Sequence, residues 1–248
     1  MTFKYLESGI PEGRVEDYLQ LSERLHEPTK TVLPYTLDVA AHLNNLGLNE
    51  DYALFGGYAV LSHLMREQGE HIASLWRGSN DIDIAGTMRV MTALRSGYDV
   101  HSCLQSPNIK DKATIKLATD GSEECRIDFS TGDFKKRFKN IETNVHFGVP
   151  LNVIDPLSLI QCKLMTPKDE LQHAGDIVGM LYVLEKRGYT PRLVMDYFAG
   201  SGNSKELYDR MKISKEAFKD DRLGLFPTKV FSSELERLLH RSRPVTNR

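Results

Sequence analysis

The sequence predicts an α+β protein: a mixed central sheet with flanking helices, followed by a helical C-terminal part. Three observations lead there. Between residues 48 and 155, short strand-like runs alternate irregularly with helical runs, which suits a mixed sheet better than a doubly wound one. After Pro156 the strand-like runs stop and only helical periodicity remains. Before residue 48 the chain also reads as helical. The organisation expected is a helical N-terminal extension over 1–47, a core over 48–155 and a helical C-terminal domain over 156–248.

Each element has its own signal. Residues 13–27 carry a loose apolar stripe of Val15, Tyr18, Leu19 and Leu21, and Pro28 and Pro34 punctuate the next stretch of chain. Residues 35–46 form a second helix through Leu37, Val39, Ala40, Leu43 and Leu46, stopped by Gly47. The apolar run YALF over 52–55 is a short strand, and Gly56-Gly57 leads into a helix from Tyr58 to about Gln68. DIDIA over 81–85 alternates as a strand does. Thr87 can cap a helix to Arg95, with Gly97 as its stop. Further strands are expected over 98–103, 113–118, 125–130 and 149–154. Helices are expected over 157–165, 169–187, 191–199, 204–211 and 232–241.

Composition narrows the class. A chain of 248 residues is long enough for one sizeable core, or for one domain with a smaller helical companion. Apolar residues make up 40% and charged residues 27%, as in soluble globular proteins. The formal net charge of −2 gives the whole molecule no strong pull toward nucleic acid or anionic membranes. Cys103, Cys125 and Cys162 lie far apart, without zinc spacing, and their odd number suits a reducing, cytoplasmic setting. The opening residues lack the apolar stretch of a signal peptide, and no apolar run approaches the ~20 residues that span a bilayer.

The chemistry concentrates in Arg77-Gly78-Ser79-Asn80-Asp81-Ile82-Asp83-Ile84. Alternation in a strand puts Asp81 and Asp83 on one face and Ile82 and Ile84 on the other. The isoleucines can enter the core, so the two carboxylates are presented together. Side by side they repel, and a divalent cation between them relieves the repulsion. On this reading a metal-free Asp81→Asn variant is at least as stable as the parent chain. A bare Asp-x-Asp is more often a solvated strand end, so its surroundings decide. Gly56-Gly57 between a strand and a helix offers close backbone approach and a positive helix end to phosphate. Ser79 can bond a phosphate oxygen, and Arg77 can add charge. In Arg126-Ile127-Asp128-Phe129, alternation turns Asp128 away from Cys125, Ile127 and Phe129. A third carboxylate on a neighbouring strand completes a two-metal site.

Strand-Gly-Gly-helix, then the RxSxDID pattern, then a strand with Asp128 between apolar residues resembles the DNA polymerase β nucleotidyltransferase superfamily. The pattern is most similar to bacterial nucleotidyltransferases of the abortive-infection toxin type. The resemblance covers roughly 50–185 and continues in Asp155–Met165, with Lys163 on an apolar helix, and in Lys168-Asp169 and Asp176-Ile177. The stretch between Gly57 and Asp81 is longer than the family's minimal pattern, and its GEHIASLWRG must loop out or lengthen the helix.

The resemblance implies a polymerase β-like core and two Mg²⁺ ions, with Mn²⁺ as a substitute. It implies that Asp81, Asp83 and Asp128 hold the metals and that Gly56, Gly57, Arg77 and Ser79 contact the triphosphate of an NTP. Lys163 would meet the triphosphate, and Asp176 would support it or the acceptor. The acceptor would be a tRNA 3′ end or a protein hydroxyl, and an antitoxin protein would be a partner. Two rivals stand beside this: a nucleotidyltransferase that modifies a small antibiotic, and a non-catalytic relative that binds nucleotide or a partner. Without the resemblance, Lys163 reads as a snorkelling lysine and Asp176 as part of a solvated face. Asp169, His173 and Asp176 share one helix face, as metal ligands or as solvated polar groups. The run 134–140, FKKRFKN, suits either RNA contact or a surface segment with two buried aromatics.

Overall fold

The computed structural model describes residues 10–76, 78–98, 100–105, 112–117, 125–131, 140–165, 171–217 and 224–241. The chain divides into two compact units, Met1–Asp155 and Pro156–Arg248. It is a mixed α+β protein.

The first unit opens with α1 (Glu12–Ser22) and α2 (Thr29–Asn45). Strand β1 (Tyr52–Phe55) runs straight into α3 (Gly56–Gln68), and β2 (Asp81–Gly86) leads to α4 (Met88–Gly97). Five strands follow: β3 (Val100–Gln105), β4 (Lys112–Leu117), β5 (Cys125–Ser130), β6 (Ile141–His146) and β7 (Val149–Ile154). They form one seven-stranded sheet in the order β3-β4-β5-β2-β1-β7-β6. It is mixed: β2 runs parallel to β5 and β1 parallel to β7, and the other neighbours are antiparallel.

Helix α2 begins six residues before the sequence predicts and carries Pro34 inside it. Proline removes one intrahelical hydrogen bond. Burial outweighs that loss, because Val32, Leu33, Pro34, Tyr35 and Leu37 are all buried. Each large apolar side chain so buried contributes on the order of 1.5–3 kcal/mol. The long stretch after Gly57 is absorbed in two ways. Helix α3 continues to Gln68 and ends at Gly69, and a 3₁₀ turn over Glu70–Ser74 then buries Ile72 and Ala73.

Strand β6 has no counterpart among the strands the sequence predicts. Its inward side chains are polar, Asn144 and His146, while Val145 is exposed. The usual alternation is therefore inverted. The inward polar groups are satisfied on α3: Asn144 Nδ2 donates to Ser62 Oγ at 3.0 Å, and His146 Nε2 lies 2.9 Å from the same oxygen. His63 Nε2 donates to the carbonyl of Ile154 at 2.9 Å.

Among the described residues of the second unit the regular elements are all helices: α5 (Pro156–Leu164), α6 (Leu171–Lys186), α7 (Pro191–Gly200), α8 (Ser204–Ala217) and α9 (Lys229–Arg241). Helix α6 packs against α5 and α8, and α9 against α7 and α8. Thr190 caps α7 with its side-chain oxygen and Pro191 opens it, the arrangement expected of a helix start. No described helix is long and apolar enough to cross a membrane.

Candidate active site

Strands β2 and β5 lie side by side and in parallel, so their residues pair in order: Asp81 with Arg126, Ile82 with Ile127, Asp83 with Asp128, Ile84 with Phe129. Ile82, Ile84, Ile127 and Phe129 are essentially inaccessible. Asp81, Asp83, Arg126 and Asp128 occupy the opposite, partly open face. A slip of one residue would expose the apolar four and bury three aspartates, so the register is strongly fixed. The same patterning that builds the core therefore brings three carboxylates to one face of adjacent strands.

Each of two carboxylates has its oxygens assigned. Asp81 Oδ1 accepts from Ser79 Oγ at 3.0 Å, and Asp128 Oδ1 accepts from Thr114 Oγ1 at 2.9 Å. Thr114 sits on β4 directly opposite Asp128. The second oxygens share one partner: Arg126 Nη2 donates to Asp81 Oδ2 at 2.5 Å and to Asp128 Oδ2 at 2.9 Å. Burial works against the Arg126 charge, but the fields and hydrogen bonds of Asp128 and Asp81 outweigh it and raise its pKa further above the ordinary range.

The glycines follow from the same geometry. Gly56 has φ +68°, and a Cβ there would stand 1.7 Å from Asp83 Oδ2. A Cβ on Gly57 would come within 2.8 Å of Ser79 Cβ and Oγ. The two missing side chains let Asp83 and Ser79 close against the start of α3. Beneath the site, burial and then the Asp81 charge push the Cys125 thiol up to about 12, which leaves it inert as a nucleophile.

In the helical unit, Lys163 Nζ and Asp176 Oδ2 are 2.8 Å apart. Both side chains are buried, so Lys163 does not snorkel and Asp176 is not on a solvated face. Arg77, Lys168, Asp169 and all but the last residue of the basic run 134–140 lie outside the described residues.

Sequence reasoning passed over Arg126 and Thr114. The signal for Arg126 was present, since the alternation that exposes Asp128 exposes the residue two before it. Thr114 becomes visible only once the β4–β5 pairing is known.

Carboxylate oxygens are hard donors of the kind magnesium takes, but here a hydroxyl holds one oxygen each of Asp81 and Asp128 and Arg126 holds the other. As they stand, no three acidic, His or Cys side chains among the described residues are placed to hold a metal ion. Arg126 stands between two of the three candidates.

No protein-family profile matches the chain, and no curated protein resembles it closely enough to count as a relative. Among solved structures, one similar chain is an antigenic nucleotidyltransferase-like protein from Paracoccidioides brasiliensis, at 14% identity and a TM-score of 0.41, covering 75% of this chain and 95% of that one. Another is the Megavirus polyadenylate synthase, at 8% identity and a TM-score of 0.31, covering 79% of this chain and 37% of that one. Likeness this slight decides neither fold nor activity.

Proposed function

We propose that the chain is a metal-dependent nucleotidyltransferase that moves NMP from an NTP to an acceptor hydroxyl and releases pyrophosphate. The observation that carries this reading is the placement of Asp81, Asp83 and Asp128 on one face of two parallel neighbours, against a glycine-opened helix. Two magnesium ions held by these carboxylates would supply charge stabilisation at the attacking and leaving oxygens. The chain's own groups do the rest. Thr114 bonds one oxygen of Asp128 and so fixes its rotamer, and this carboxylate would take the acceptor proton. Ser79 fixes Asp81 in the same way. The N–H groups at the start of α3 favour the triphosphate. Catalysis on this plan is positioning plus electrostatics, with no covalent enzyme intermediate.

The finer reading follows the resemblance to abortive-infection toxins. The acceptor is a tRNA 3′ end or a protein hydroxyl, the setting is cytoplasmic, and an antitoxin protein restrains the enzyme. The experiment is label transfer from each labelled NTP, with Mg²⁺ or Mn²⁺, to total tRNA and to cellular protein. The parent chain should label one of them. Asp81→Asn and Asp128→Asn should lose at least the ~10²–10³ in rate typical of removing one oriented electrostatic group. Labelling that survives both substitutions would exclude this site as the catalytic centre.

A further inference from the structure

Arg126 is bonded to two of the three carboxylates. Its guanidinium spans the gap between β2 and β5, and its contacts are the two oxygens that Ser79 and Thr114 leave over. Its side chain is about half exposed, at 48%, which leaves it room to turn outward. Guanidinium keeps its charge at any working pH. A single cation bridging one oxygen from each of two carboxylates is also the geometry in which a divalent ion would be shared.

We propose that Arg126 is a counter-cation built into the site, standing on the two carboxylate oxygens through which metal would be held, so that metal loading requires the guanidinium to swing away. This rests on the metal-dependent reading above. In the resting chain Arg126 offsets the repulsion among the three aspartates, and it competes with the metal for the same oxygens. Nucleotide-free affinity for divalent ions is thereby held down. A guanidinium freed in this way is charged and half exposed, and an anionic phosphate group is a natural partner for it.

The test is Mn²⁺ binding to the full chain without nucleotide, followed by calorimetry for the parent chain, Arg126→Gln and Arg126→Lys. Arg126→Gln should bind Mn²⁺ roughly five- to tenfold more tightly than the parent, with Arg126→Lys between them. Its metal-free melting temperature should fall. A second measurement needs no variant: crystals of the parent chain grown with and without Mn²⁺ should show the guanidinium on Asp81 and Asp128 only in the metal-free form. Equal or weaker Mn²⁺ binding by Arg126→Gln, or an Arg126 that stays put when Mn²⁺ binds, overturns this role and leaves the nucleotidyltransferase reading intact. Failure of all three folded chains to bind Mn²⁺ overturns both.

Discussion

Lys163 and Asp176 carry opposite charges inside the helical unit, and each has left water to do so. Desolvating an ion costs several kcal/mol, so such a pair stabilises little in itself, yet breaking it leaves the survivor stranded. Lys163→Met should therefore cost roughly 3–5 kcal/mol, measured by urea unfolding. The double variant Lys163→Met with Asp176→Leu should recover most of that loss. A role confined to packing predicts full recovery of function along with stability, whereas the expected contact with the triphosphate predicts a stable double variant with impaired transfer. The same scale changes the expectation for Asp81. Two bare carboxylates would make Asp81→Asn stabilising without metal. With Arg126 already against Asp81, the substitution weakens an ion pair, and a small loss is expected instead.

Strand β6 shows what an inverted element does to stability. Burial, and secondarily the nearby Arg66 charge, depress the His146 pKa from 6.5 to about 4, despite the Ser62 contact that opposes them. Between those values the unfolded chain binds a proton that the folded chain refuses. Stability is therefore complete above pH 6.5 and is lost as the pH falls toward 4. Denaturant unfolding at pH 7 and pH 5 should differ by about 2 kcal/mol from this group, and His146→Gln should show a shallower drop. The legibility of the fold follows the same physics. Strands β5 and β7 could be read to their end residues because their inward positions are apolar. Strand β6 could not, because Asn144 and His146 face inward and are satisfied by α3, a partner distant in sequence. The start of α2 was hidden by Pro34, whose local cost is overridden by tertiary burial. The aspartates were legible because the period of two needs no partner strand. Their hydroxyl and guanidinium partners depend on sheet order, which the residues alone do not reveal.

For the molecule as a whole, the pairing of β2 with β5 is a long-range event. More than forty residues separate Asp81 from Cys125, and chain closure over such a span comes at an entropic cost before any contact repays it. The third carboxylate arrives on that late strand together with Arg126, two residues away. Strand β5 therefore docks at this face as an internally neutral pair, and the two aspartates already on β2 meet a zwitterion. No electrostatic barrier that only an ion could lower stands in the path of sheet closure. Refolding from urea should run at the same rate in EDTA as in Mg²⁺, and a rate that climbs with Mg²⁺ would contradict this. On the proposed function, maturation and activation are thus separable in time: the chain completes its fold without a metal ion, and the magnesium proposed above would act afterwards on a finished scaffold.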